Sequence, residues 1–232
     1  MTTLIIATRN AHKFEEISAI LGRSFRLLSL KEFNDAPAVV EDQPTFAKNA
    51  VKKARELARW LTYLPNAEFR IPGASASVLA DDSGLEVDAL QGAPGVHSAR
   101  FAALDSGTAP GAAANCSDAD NIVKLLDLLK LVPSEKRTAR FRCVLSLIAV
   151  KPPQPTVAGH LFEGVCDGRI ALQPAGQGGF GYDPLFIPAG YNQSFAELGE
   201  DVKNRIGHRA LALDKMRKAL ESLVTGSEFP EF

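Results

Sequence analysis

A short apolar run, Leu4 to Ala7, passes through Thr8-Arg9-Asn10 into a helical pattern, and a second strand-like run, Arg26 to Leu30, follows. Phe14, Ile17, Ile20 and Leu21 share one face of that helix, and Gly22 is placed to stop it. A chain that begins strand, loop, helix, strand favours an α/β architecture, in which a helix buries its apolar stripe on a sheet. At 232 residues, 46% of them hydrophobic and 23% charged, the chain has the material of one large globular domain.

The rest of the chain continues in the same style. Thr45 is placed to cap a helix in which Phe46, Ala50, Ala54, Leu57 and Leu61 recur at helical spacing. A Pro-, Ala-, Ser- and Gly-rich loop is expected over 65–77. Val78 to Ala80 reads as a strand running into Asp81-Asp82-Ser83-Gly84, and Leu85 to Leu90 alternates in the strand manner. A second loop is expected over 105–115, and Ser117 then caps a helix with Ile122, Leu125, Leu126 and Leu129 inward. Phe141 to Val150 and Val157 to Val165 read as long strands separated by a turn at Pro152-Pro153-Gln154-Pro155. Gly176 to Gly181 is a glycine-rich loop, and one helix is expected from about Lys203 to Leu223, with Ile206, Ala210, Leu213, Leu220 and Leu223 on a common face. No repeat or linker divides the chain, so residues 1–232 are expected to form a single domain.

Composition narrows the function classes. With 26 basic and 27 acidic residues the formal net charge is −1, which argues against a broad electrostatic grip on nucleic acid. Cys116, Cys143 and Cys166 form no C-x-x-C pair, against both a zinc site and a disulfide framework, and Cys143 and Cys166 read as small buried thiols. The N-terminus lacks the pattern of a signal peptide, and no apolar run reaches the roughly 18 to 20 residues that span a bilayer. A cytoplasmic location is expected.

Five segments carry candidate chemistry. Thr8-Arg9-Asn10-Ala11-His12-Lys13 lies where a strand yields to a helix; free backbone N–H groups there, with the Lys13 charge, suit phosphate oxygens, while the plain alternative is an Asn cap and a solvated lysine. Asp81-Asp82 at a strand end is costly unless exposed, paired or bound to a cation. Adjacent strand residues point to opposite faces, so at most one of the two is expected in a given site, as a metal ligand or a proton acceptor; Glu41-Asp42 is a second acidic candidate. Gly176-Gln177-Gly178-Gly179-Phe180-Gly181-Tyr182-Asp183-Pro184 offers close backbone approach, rings that stack on a purine and a carboxylate, or else a tight loop plugging the core. Lys203, His208 and Arg209 flank the stripe of the last helix, placed for a cleft or for a solvated basic face.

In combination these segments resemble the inosine triphosphatase family of non-standard purine nucleoside triphosphate pyrophosphatases. The resemblance runs from Leu4 to about Leu220 through Thr8-x-Asn10-x-x-Lys13, Thr45-Phe46-x-x-Asn49-Ala50, Ala80-Asp81-Asp82-Ser83-Gly84-Leu85, Gly92 to Phe101, Gly178 to Pro184, and His208-Arg209-Ala210. It implies a mixed, curved central sheet flanked by helices, two lobes with the active cleft between them, and a homodimer. It also implies that Thr8 to Lys13 hold the triphosphate and that Ser83 contacts the substrate. Glu41 and Asp82 would hold Mg²⁺, with Asp82 also accepting the proton of water. Phe180 to Asp183, Lys203, His208 and Arg209 would surround the base and phosphates. Gly207 stands where the family usually has Ser, His97 where Tyr is commoner, and the 65–77 and 105–115 loops look long. Two other readings stand beside this one: a related pyrophosphatase for pyrimidine or methylated nucleotides, which would lack this base pocket, and a purine nucleotide sensor that does not hydrolyse, which would have no need of a metal-bound water.

Overall fold

The computed structural model describes residues 2–63, 76–106, 115–150 and 159–225. The expected loop at 65–77 falls mostly, and the loop at 105–115 and the turn at 152–155 largely or wholly, outside the described residues.

Among the described residues six strands form one mixed sheet. They are β1 (Thr3–Ile6), β2 (Arg26–Ser29), β3 (Ala76–Val87), β4 (Thr138–Ala149), β5 (His160–Ile170) and β6 (Phe186–Pro188), in the order β2-β1-β3-β4-β5-β6. β1 runs parallel to both β2 and β3, as the crossover helix α1 (Ala11–Leu21) between β1 and β2 requires. The pairs β3–β4, β4–β5 and β5–β6 are antiparallel.

Helices cover both faces, and the alternation along the strands decides which residue meets which helix. Ile5, Val78, Ala80 and Ile148 pack under α2 (Phe46–Tyr63) through Ala54, Leu57, Ala58 and Leu61. Leu4, Ile6, Leu79, Leu145 and Leu147 face the other way, against Ile17 and Leu21 of α1 and Ala212, Leu213 and Met216 of α6 (His208–Thr225). A third cluster fills the far end of the long strands, where Leu85, Phe141 and Phe186 meet Phe195 of α4 (Phe195–Leu198) and Leu125 and Leu129 of α3 (Asp118–Leu129).

Four expectations change. The strand run expected over Leu85 to Leu90 stops at Val87, where a 3₁₀ turn (Asp88–Leu90) begins, and the strand expected to end at Val165 continues to Ile170. The acidic pair is not at a strand end: β3 is a continuous 12-residue strand with Asp81 and Asp82 at its middle. The single last helix is two, α5 (Glu200–Ile206) and α6, because Gly207 is extended (φ −69°, ψ 156°) and its N–H closes the last turn of α5 on the Lys203 carbonyl. The break turns Ile206 away from the stripe of Ala210 and Leu213, and it packs in the far-end cluster instead. Among the described residues, no helix is long and apolar enough to cross a membrane.

Candidate active site

β1 is only 4 residues long and pairs with β3 no further than Leu79, so beyond Ala80 the β1-side edge of β3 has no neighbouring strand among the described residues. The turn into α1 lies on one side of the gap. On the other, the segment after Pro94 closes the edge again: Glu86 bridges Pro94, and the Leu85 N–H donates to Ser98 Oγ at 2.9 Å. At this gap the side chains of both sheet faces reach the same space. A cavity of about 120 Å³ opens there, lined by Asn10, Lys13, Glu41, Asp82, Ser83 and Gly84, by Val96 to Ala99 without His97, and by the Phe180 to Asp183 loop and Lys203, His208 and Arg209. That is below the roughly 300–1,000 Å³ of a site enclosing a whole small molecule, so the enclosed part fits one end of an extended ligand.

The two aspartates serve opposite faces. Asp81, fully buried, receives Lys13 Nζ at 2.5 Å and Ser83 Oγ at 2.9 Å on one oxygen, and Arg209 Nε at 3.0 Å and Cys143 Sγ at 3.1 Å on the other. Burial alone would raise its pKa, but Arg209 and Lys13 hold it well below the usual carboxylate range. Arg209 also donates to Ser83 Oγ at 3.0 Å and pairs with Glu16, which in turn takes Lys203 Nζ at 2.5 Å. Lys203 completes the chain at Asp183, 2.5 Å away.

Asp82 turns to α2. Its carboxylate accepts from Lys53 Nζ at 3.0 Å and Asn49 Nδ2 at 3.1 Å, and Lys53 also donates to Glu41 at 2.6 Å and to the Asp81 carbonyl at 2.6 Å. Burial, helped by the Glu41 charge, pushes the Asp82 carboxyl up against the opposing pull of Lys53 and Lys13. Burial would likewise discharge the Lys53 ammonium, but Asp82 and Glu41 outweigh it and raise its pKa. Glu41 is tethered a second time, by Arg100, which donates to its backbone carbonyl at 2.8 Å.

The far wall is the glycine-rich loop. The Tyr182 hydroxyl donates to the Ser98 carbonyl at 2.9 Å, and the Phe180 N–H donates to Asp183 at 3.0 Å. Burial pushes the Asp183 carboxyl up, against the pull of Lys203. The Phe180 ring lies 5.2 Å from that of His12 at 16°, with Lys203 Nζ 4.4 Å from its centroid. His208 stacks on Phe141 at 4.8 Å; burial, reinforced by Arg209 and Lys203, holds its pKa well below 6.5. Its Nδ1 is buried with no protein partner among the described residues.

Of the residues singled out from the sequence, Asn10, Lys13, Glu41, Asp82, Ser83, Phe180 to Asp183, Lys203, His208 and Arg209 share this one cavity. Thr8, Arg9, Ala11 and His12 do not line it. Thr8 Oγ1 accepts from the Asn10 N–H, Arg9 donates to the Ala36 carbonyl at 2.7 Å, Ala11 is exposed, and His12 reaches the site only through Phe180. Asn49 and Arg100 belong to the family-like motifs but carry no assigned role in the sequence reading, and Lys53, Glu16 and Asp118 are absent from it. Lys53 was detectable, since it falls between Ala50 and Leu57 on the buried stripe of α2, where an ammonium needs acidic partners.

Among the described residues no group of three or more His, Cys, Asp or Glu side chains is arranged to hold a metal ion. Two carboxylates do converge, Glu41 and Asp82 on either side of Lys53 Nζ. That set fits Mg²⁺ taken up together with substrate, since Mg²⁺ is commonly held by one or two carboxylates with phosphate oxygens and water completing its shell.

The model of the Ham1 family matches residues 4–219. The chain is 45% identical to the dITP/XTP pyrophosphatase of Geobacillus kaustophilus over 97% of its length and 98% of that protein's. It is also 45% identical to the protein of the same name from Geobacter sulfurreducens, over 95% and 97%. Among solved structures, it resembles a HAM1 protein from Coxiella burnetii (TM-score 0.73, 34% identity, 96% of this chain and 100% of that one). The Staphylococcus aureus Ham1 protein is similar too (TM-score 0.72, 32% identity, 96% and 100%). A match along nearly the whole sequence assigns the chain to the Ham1 family.

Proposed function

We propose that this protein hydrolyses non-standard purine nucleoside triphosphates (ITP, dITP and XTP) to the nucleoside monophosphate and pyrophosphate. The observation that carries the reading is the shared cavity: a lysine-bearing helix start, two converging carboxylates and an aromatic, glycine-lined loop all face one space. Relatives named dITP/XTP pyrophosphatases, similar over nearly the entire chain, support it.

In this reading the triphosphate lies near the start of α1, where the Lys13 ammonium and the positive end of the helix dipole offset its charge. Glu41 and Asp82 are the residues that would hold Mg²⁺, which when bound supplies further neutralisation of phosphate charge. Asp82 orients a water and takes its proton as the water oxygen attacks the α-phosphorus; the bond from that phosphorus to the bridging oxygen breaks, and pyrophosphate leaves. Its raised pKa suits a base working nearer neutrality than an ordinary carboxylate. Lys53 keeps the two carboxylates apart from each other's charge, and Asn49 fixes the remaining oxygen of Asp82. Phe180 and Tyr182 flank the base, while Lys203, His208 and Arg209 present donors to it. A 6-keto oxygen is matched there; the 6-amino group of adenine brings a donor where an acceptor is wanted. A homodimer working in the cytoplasm belongs to the same proposal, and light scattering tests the assembly.

Pyrophosphate release should be measured from ITP, dITP, XTP and the four standard triphosphates, with and without Mg²⁺. The expected result is metal-dependent release favouring the first three, and a loss of about 10²- to 10⁴-fold in kcat for Asp82→Asn with the fold intact. Release from pyrimidine nucleotides alone, or binding without release, would replace this reading; wild-type turnover by Asp82→Asn would remove Asp82 as the base.

A further inference from the structure

The base loop is held on three sides. Asp183 is held by Lys203, and Tyr182 by the Ser98 carbonyl. Between them the N–H of Gly181 donates to Asp118 Oδ2 at 2.6 Å, joining residues 63 apart in sequence. Asp118 opens α3 and lines the cavity.

We infer that Asp118 is a positioning residue for base selection: by pinning Gly181 to the head of α3 it fixes where Phe180 and Asp183 stand. Gly181 has φ +63°, a left-handed conformation that directs its N–H away from its own loop toward α3, and an ionised acceptor makes the stronger kind of hydrogen bond. An aspartate in the first turn of a helix often does no more than complement its dipole. Here that task is already met next door: the Asp120 N–H donates to Ser117 Oγ, and Asp120 is itself in the first turn. Nor does α3 need Asp118 to stay in place. Asn121 accepts from the Ala102 N–H at 2.9 Å and donates to the Ala99 carbonyl, and Leu125 and Leu129 are fully buried. The Asp118 carboxylate is exposed, so its removal leaves the core untouched. What it removes is the side-chain bond to the Gly181 N–H, leaving the Phe180 N–H on Asp183 as the neighbouring restraint. The groups proposed to act on phosphate, Lys13 and Asp82, are held by partners outside the loop (Asp81 for Lys13, Lys53 and Asn49 for Asp82), although Phe180 stacks on His12 at the start of α1. Loosening the loop therefore weakens recognition of the base more than turnover.

The inference rests on the proposed pyrophosphatase reading, and its test separates the two. Asp118→Ala and Asp118→Asn are compared with wild type by amide hydrogen exchange at Gly181 in the free protein, and by kcat and KM for ITP and ATP with Mg²⁺. In Asp118→Ala, Gly181 should exchange about 10-fold faster, KM for ITP should rise about 10-fold with kcat changed little, and the preference for ITP over ATP should shrink. Asp118→Asn keeps an acceptor oxygen and should restore most of the protection and most of the preference. Unchanged exchange or unchanged ITP preference in Asp118→Ala overturns the inference, as does an Asn variant no better than Ala. A wild-type protein that hydrolyses no nucleotide defeats the pyrophosphatase reading, and with it the selectivity role, while the exchange data still report whether the pin exists.

Discussion

Asp81 and Asp82 are chemically identical neighbours with different surroundings, because successive strand residues project to opposite sides. Asp82 meets one ammonium and an amide and keeps a raised pKa, as suits a proton acceptor. Asp81 gathers four donors, three of them (Lys13, Ser83 and Arg209) on the cavity wall, and stays ionised. Its part is to aim them. Asp81→Asn leaves two buried or half-buried cations without their shared counter-charge and should cost on the order of 3–5 kcal/mol, the usual scale for breaking a buried pair. Urea unfolding reads that loss, and KM should rise with it as Lys13 and Arg209 drift. By contrast, Asp82→Asn should depress kcat far more than it raises KM; the same balance of kcat and KM in the two variants would refute the division.

At the scale of elements, the approach of α6 to the sheet decides where His208 and Arg209 stand. A Cβ added at Gly164 of β5 would lie 2.0 Å from the His208 carbonyl and 2.5 Å from the Ala212 nitrogen, both backbone atoms that cannot rotate aside. Gly164→Ala should therefore cost about 1–3 kcal/mol in overpacking, seen as a lower Tm, and weaken substrate binding by lifting the first turn of α6. Most elements are legible in the sequence because each writes a local period: the stripe of α2, the Ser117 cap and the stop at Gly22 all fall where the pattern puts them, and Asn10 caps α1 as the plain alternative there had it. The split at Gly207 was not, since Ile206 and Ala210 are compatible with one unbroken stripe and only the backbone at Gly207 shows otherwise. The partners of the site were harder still. Lys53 meets Asp82 across 29 residues and Arg209 meets Asp81 across 128, and separations of that size leave no trace in local spacing.

For the whole molecule, buried ionisable groups tie stability to pH. Unfolding releases the His208 imidazole to ionise near 6.5, whereas burial, with Arg209 and Lys203 adding to it, keeps it neutral in the folded protein to much lower pH. The unfolded state then binds the extra proton, so stability falls as pH drops through 6.5. Glu16 and Asp81, whose folded pKa values are depressed, add losses in the same direction only below about 4.5 and 3.8. Urea midpoints measured from pH 7.5 to 5 should decline in wild type and decline less in His208→Gln; parallel curves would show that the imidazole is not the source. The unpaired stretch of β3 has a bearing on solubility too. Bare strand margins invite stray extended chains to dock and seed aggregates, and proteins commonly deter them with charge. Lys13, Glu41 and Asp82 stand at this margin, so the groups proposed to handle the substrate also act as sentries against self-adhesion.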